Sequence, residues 1–142
     1  VIGCPRDAVP AELRESPGVE WVGFIDKRHD GQRYLNAVAE CDVGCLLSRA
    51  EAGGIGLREF HALGLAVIGP DVGGSPDHAL TDAAILIKPE AGDQFIADVI
   101  VGLDHDRDRV AQMKALSWAR RSEVLWAATV ARMVTVFDQM AS

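Results

Sequence analysis

The sequence predicts an α/β fold in which helices flank a mostly parallel β-sheet, followed by a helical tail. Two patterns in the chain predict it. Short apolar runs rich in β-branched residues, typical of strands buried on both faces, alternate with segments of helical periodicity. After Pro89 only helical periodicity remains. Because alternating strands and helices favour right-handed crossovers, helices are expected on both faces of a parallel sheet.

Five strands and four short helices are predicted before Pro89. The predicted strands are Val1 to Gly3, Val19 to Phe24, Val43 to Leu47, Ala66 to Ile68 and Ala84 to Ile87. The predicted helices are Ala11 to Glu15, Gly31 to Glu40, Ile55 to Leu63 and a turn at Asp77 to Leu80. For that turn, Ser75 is the expected N-cap and Pro76 the expected first helical residue.

Apolar stripes at helical spacing indicate three helices in the tail, and we interpret the stripes as core. A turn with an N-cap is expected at Asp104 to Asp108. The residues of the stripes are Phe95, Ile96, Val99, Ile100 and Leu103, then Val110, Met113, Leu116 and Trp118, then Trp126, Val130, Met133, Val134 and Phe137.

Composition excludes some classes of function. The chain has 142 residues, of which 49% are hydrophobic, and such a chain can form a single domain (residues 1 to 142) without disulfides. Its formal net charge of -7 argues against a nucleic acid partner or an anionic membrane surface.

Neither a signal peptide nor a membrane span is recognisable, so we expect a cytoplasmic protein. Cys4, Cys41 and Cys45 are expected to be reduced, small core residues, and no metal is expected.

The stretch from Glu51 to Glu59 combines two carboxylates with a glycine cluster. Glu51 follows the strand predicted from Val43 to Leu47, at the sheet edge where open α/β proteins bind ligands. Gly53 and Gly54 precede a helix whose first amides can bind phosphate, and the carboxylates suit sugar or ribose hydroxyls. An ordinary helix start with a capping acid and turn glycines explains the spacing equally well.

Histidines and cations elsewhere are less informative. His61 is expected to be packed or on the surface rather than catalytic, and His78 is left without a role. Arg49, Lys27 and Arg58 are the nearest candidates for phosphate contact, but we interpret each as a solvated surface charge.

A resemblance covers most of the chain. The segments "VIGCP", "VEWVGFIDK" and "AECDVGCLLSRAEAGGIGLREFHALGLAVIGPDVGGSPD", in this order, resemble the donor-binding C-terminal domain of family 4 retaining glycosyltransferases, which have the GT-B fold with Rossmann-like domains. Glu51 and Glu59 match the two acids of the family's E-x7-E pattern, and Asp71, Gly73 and Gly74 match the following D-x-G-G loop.

The resemblance implies roles for these residues. Glu51 would contact the transferred sugar, and Glu59 the ribose of a nucleotide-sugar donor. The amides of Gly53, Gly54 and Ile55 would hold the sugar and the diphosphate. Gly23, Phe24 and Ile25 would border the base. The implied reaction moves a sugar to an acceptor hydroxyl with retention of configuration and uses neither a cofactor nor a metal.

The resemblance also implies parts that precede Val1. The family's domain opens with a central strand followed by an arginine and a lysine that neutralise the leaving diphosphate, and a separate N-terminal domain binds the acceptor. We therefore expect the chain to be part of a two-domain enzyme, inactive alone, whose open sheet edges can recruit a strand from an oligomeric partner. A non-catalytic module that binds a nucleotide-sugar or phosphate is the alternative.

Overall fold

A computed structural model describes residues 1 to 141. The chain divides into two compact units, Val1–Val38 and Ala39–Ser142, and Ser142 lies outside the described residues.

The first unit contains a 3₁₀ turn at Arg6–Ala8, the helix α1 (Ala11–Arg14) and all but the last residue of α2 (Lys27–Ala39). The strands predicted at Val1 to Gly3 and Val19 to Phe24 are wrong, because only one parallel bridge, between Ile2 and Gly23, is present there. The Gly3 amide donates to the Gly23 carbonyl at 2.8 Å. Gly3 and Gly23 have φ of 85° and 76°, and this left-handed backbone interrupts the extended conformation that a strand requires.

The second unit contains a parallel sheet in the order β1 (Val43–Cys45), β2 (Ala66–Pro70), β3 (Ala84–Ile87). All five residues of β2 are buried, as expected for the central strand of a sheet covered on both faces. These three predicted strands are confirmed, although β1 ends at Cys45 rather than Leu47.

The helices of the second unit follow the predicted order. They are α3 (Ile55–Ala62), α4 (Ser75–His78), α5 (Asp93–His105), α6 (Arg107–Arg120) and α7 (Trp126–Ala141), with a 3₁₀ turn at Arg121–Val124. Asp106 caps α6, since its carboxylate accepts a hydrogen bond from the Arg109 amide at 3.0 Å, which confirms the predicted N-cap. The N-cap of α4 is Gly74, not Ser75. No helix within residues 1 to 141 is long and apolar enough to cross a membrane.

The main core lies where α5 and α6 cover the sheet. Predicted core residues of α5 and α6 that lie there are Ile96, Val99, Leu103, Val110 and Met113, packed with Ala66, Ile68 and Ile87 of the strands. The core interpretation is wrong for Phe95, Ile100, Leu116 and Trp118, which are exposed on the outer sides of the same helices. One buried face on each of these helices is sufficient to cover the sheet, so apolar residues on the opposite face stay exposed.

The core interpretation is also wrong for α7. All five residues of its predicted stripe are exposed, with exposed fractions of 69% for Trp126 and 62% for Phe137. The other three are Val130, Met133 and Val134. Helical periodicity identifies an apolar face but does not show which surface covers it.

The cysteines do not contribute to the core as predicted. Cys41 and Cys45 are exposed and Cys4 is half-buried, all as free thiols. In the three-stranded sheet β1 is an edge strand whose residues alternate between faces, so Gly44 is buried while Cys45 is exposed.

Candidate functional site

The Glu51 carboxylate is oriented by two hydrogen bonds at the carboxyl end of β1. The Ser48 hydroxyl donates to its Oε1 at 2.6 Å, and the Gly54 amide donates to its Oε2 at 3.3 Å. These two hydrogen bonds do not use all the lone pairs of the carboxylate, so Glu51 can accept additional hydrogen bonds from hydroxyl groups.

Glycines allow the loop at residues 51 to 54 to pack directly against the loop at residues 71 to 76. A Cβ on Gly73 would lie 1.7 Å from the Glu51 carbonyl oxygen, and one on Gly74 would lie 2.8 Å from the Ala52 carbonyl oxygen. A Cβ on Gly54 would lie 2.8 Å from Ser75 Oγ. Gly73 and Gly54 also have φ of 57° and 54°, where side chains are disfavoured. The two predicted motifs therefore form one site, held by backbone contact.

The floor of this site holds a buried hydroxyl without a partner. Ser75 is fully buried, and its Oγ finds no hydrogen-bond partner among residues 1 to 141. It lies beside Gly54, the N-cap residue of α3, whose amide donates to Glu51. Since buried polar groups are nearly always hydrogen-bonded, Ser75 Oγ is a group that a buried water can satisfy.

Glu59 lies one turn further along α3, on a cavity of about 270 Å³. Residues that line it with Glu59 are Ile55, Arg58, Ala62, Val124, Leu125 and Trp126. Sequence reasoning assigned Trp126 to the core and missed this role as a cavity wall. In the sequence alone, a tryptophan that packs in the core cannot be distinguished from one that lines a cavity.

A further cavity of about 280 Å³ opens at the carboxyl ends of all three strands. Ser48, which binds Glu51, lines it beside Arg49, Pro70, Ile87 and Lys88. This is the edge at which open α/β sheets bind ligands. Arg49 is exposed there, as predicted, and Lys88 was not singled out from the sequence.

The structure changes the interpretation of one cation. Arg58 is only 8% exposed, so its assignment as a solvated surface charge is wrong. It points from α3 toward the 3₁₀ turn that precedes α7, where its Nε donates to the Val124 carbonyl at 2.7 Å.

His61 is fully buried, as the packing interpretation predicted. Its Nδ1 lies 2.7 Å from Ser117 Oγ, and its Nε2 accepts a hydrogen bond from the Leu80 amide at 3.1 Å. Since Ser117 donates its own proton to the Leu65 carbonyl, Nδ1 carries the proton of a neutral imidazole. Burial lowers the pKa of His61 to about 4.

Gly23, Phe24 and Ile25 belong to the first unit. Phe24 is 74% exposed and Ile25 is buried. Their contact with a base stays a prediction.

Comparison with known proteins identifies the family. The model of the family described as glycosyl transferases group 1 matches residues 11–117. The chain belongs to this family. The matched residues include Glu51, Glu59 and the loop with Gly73 and Gly74.

A solved structure of another protein has a similar fold. The crystal structure of Anabaena Alr3699/HepE in complex with UDP is 20% identical, with a TM-score of 0.67, and the match covers 86% of this chain and 32% of that one. This likeness confirms the predicted α/β, Rossmann-like fold of the GT-B type.

One curated relative has a different description. The HTH-type transcriptional regulator Rv0324 of Mycobacterium tuberculosis (strain ATCC 25618 / H37Rv) is 32% identical over 77 residues, which are 54% of this chain and 32% of that protein. The chain thus spans about a third of the length of each of these two proteins.

Proposed function

We propose that residues 1 to 142 are the donor-binding domain of a cytoplasmic, retaining glycosyltransferase that transfers a hexose-type sugar from a nucleotide-sugar to an acceptor hydroxyl. Membership of the group 1 family supports glycosyl transfer as the reaction class. The observation that carries the proposal is the packing of the loop at residues 51 to 54 against Gly73 and Gly74, which places the oriented Glu51 carboxylate beside the N-terminus of α3.

In this proposal Glu51 binds hydroxyls of the transferred sugar. Its hydrogen bonds to Ser48 and to the Gly54 amide fix the carboxylate before the donor arrives, which lowers the cost of ordering it. The Gly54 amide must weaken its 3.3 Å bond to Glu51 in order to serve the diphosphate as well. The amides of Gly53 and Ile55 supply the other donors.

Glu59 binds the ribose hydroxyls, and the cavity beside it takes the nucleoside end of the donor. A ribose diol offers two donors to one carboxylate, a charge-assisted arrangement stronger than neutral hydrogen bonds. Gly23, Phe24 and Ile25 border the base. Neither a cofactor nor a metal takes part in the proposed reaction, and the acceptor binds to a separate N-terminal domain.

A pair of substitutions in the intact enzyme tests this division between the two glutamates. Glu59→Ala should weaken binding of a nucleoside diphosphate by about 1.5 to 3 kcal/mol, since it removes charge-assisted hydrogen bonds. Glu51→Gln should leave that affinity nearly unchanged and reduce the transfer rate, since its contact is with the sugar. Calorimetry and a transfer assay measure the two effects.

The same experiment separates the proposal from a non-catalytic binding module. A module would show the affinity loss for Glu59→Ala but no transfer in the unmodified protein. Equal losses of affinity in both variants would contradict the assignment of Glu51 to the sugar.

A further inference from the structure

Arg58 is a buried cation held by neutral groups. Its Nε donates to the Val124 carbonyl at 2.7 Å, and its Nη2 donates to Thr129 Oγ1 at 2.9 Å. The guanidinium also lies 5.0 Å from the centre of the Trp126 ring. A buried charge is costly unless an opposite charge compensates it, so this environment suits an anion that completes it.

A small cavity of about 150 Å³ lies against Arg58, where α3, α4 and α6 meet the start of α7. The charged or titratable side chains that line it are Arg58, Asp77, His78, Arg120, Glu123 and Arg132. Liquid water occupies about 30 Å³ per molecule, so the cavity has room for a tetrahedral oxyanion with water beside it.

The lining of this cavity is positive, although the chain carries a net charge of -7. Three arginines face two carboxylates, which gives the lining a net charge of +1. Arg120 holds Glu123 through two hydrogen bonds of 2.9 and 2.8 Å, so these two charges cancel locally. Of the remaining charges, Arg58 and Arg132 outnumber Asp77, which is exposed at the edge, although Glu123 also interacts electrostatically with Arg132.

The environment of His78 is consistent with a positive potential in the cavity. Burial and the neighbouring cations Arg58 and Arg132 lower the pKa of His78, although Asp77 acts in the opposite direction. At neutral pH the imidazole is therefore uncharged and retains one N–H group that can donate to an anion.

We propose that this cavity is a binding site for a phosphate group, with Arg58 and Arg132 as its charge partners and His78 as a hydrogen-bond donor. The site is separate from the loops that hold Glu51, although Arg58 and Val124 also line the cavity beside Glu59, and it does not depend on the proposed transfer reaction. Because Arg58 lies on α3 and Arg132 on α7, the bound phosphate links these two helices.

Nuclear magnetic resonance titration of the full 142-residue chain tests the site. Inorganic phosphate at neutral pH should cause saturable shifts in the amides of His78, Ala79 and Leu80, which line this cavity and not the one beside Glu59, whereas sodium chloride at matched ionic strength should not. The pKa of His78 should rise on saturation, since a bound anion stabilises the imidazolium.

Matched variants decide between a specific site and general charge attraction. Arg132→Gln, on an exposed face of α7, should weaken phosphate binding at least tenfold, and Arg58→Gln should do the same if it folds. Arg109→Gln removes an equally exposed cation that does not line the cavity and should bind phosphate as the unmodified chain does. Unchanged affinity in Arg132→Gln, or shifts that never saturate, would overturn the proposal.

A second probe identifies the source of the phosphate group. Because the exposed residues Asp77 and Arg132 line the cavity, it is accessible from solvent, and glycerol 3-phosphate should bind with an affinity similar to that of inorganic phosphate. Binding of inorganic phosphate alone would assign the site to the free ion, and binding of neither would refute it.

Discussion

Among glycine-to-alanine substitutions in the loops at residues 51 to 54 and 71 to 76, Gly73→Ala should disrupt the candidate site most. The new Cβ would lie 1.7 Å from the Glu51 carbonyl oxygen, about half of an ordinary van der Waals separation, so the two loops must move apart. The left-handed backbone at φ of 57° adds roughly 1 to 2 kcal/mol for a residue with a side chain. Forced rearrangement of a packed site costs about 1 to 3 kcal/mol. We therefore expect a loss of about 2 to 5 kcal/mol.

Urea denaturation measures this loss, and Gly53→Ala is the matched control in the same site. A Cβ on Gly53 would approach Ile55 Cγ1 only to 4.0 Å, an ordinary contact, so the stability of this variant should change by less than about 1 kcal/mol. Nucleoside diphosphate affinity, measured by calorimetry under conditions where both variants are folded, should fall for Gly73→Ala only. Equal stability and equal affinity in the two variants would refute the conclusion that loop packing builds the site.

Three further predictions concern pH, assembly and activity. Because burial lowers the pKa of His61 to about 4 from an ordinary value near 6.5, its contribution to stability is complete above pH 6.5 and is lost as the pH falls toward 4. Urea denaturation at pH 7 and pH 5 should give free energies of unfolding that differ by about 2 kcal/mol in the unmodified chain and by less in His61→Gln. An identical pH dependence in the two proteins would contradict this role of His61. Light scattering should detect oligomers if the open edge of β1 recruits a strand from another copy, and a stable monomer would argue against recruitment. The chain alone should release no nucleoside diphosphate from nucleotide-sugars above background, because positioning of the acceptor supplies about 7 to 11 kcal/mol of such a barrier; clear release would show that the cleft is misassigned.

The sequence predicted the second unit well because its patterns are local. β2 and β3 are continuous apolar runs, and the cap at Asp106 needs only the residues that follow it. The contact between Gly73 and Glu51 joins two motifs, and only the resemblance to a known family related them before the structure did.

Features that depend on tertiary packing were not predictable from periodicity. The apolar face of α7 has the same spacing as a core stripe, but it is exposed. Arg58 has the charge of a surface residue, yet it is buried and donates hydrogen bonds to Val124 in the 3₁₀ turn and to Thr129 in α7. In the first unit, the left-handed conformations of Gly3 and Gly23 interrupt two runs that resemble strands in composition.

The most direct test of the central claim is to map nucleoside diphosphate binding on the chain by amide chemical shifts. Donor binding at the start of α3 should cause saturable changes at residues 51 to 56 and in the loop with Gly73 and Gly74, and these changes should be lost in Glu59→Ala. Saturable binding that leaves these residues unchanged, or that survives Glu59→Ala with full affinity, would contradict the assignment of a donor site at the start of α3.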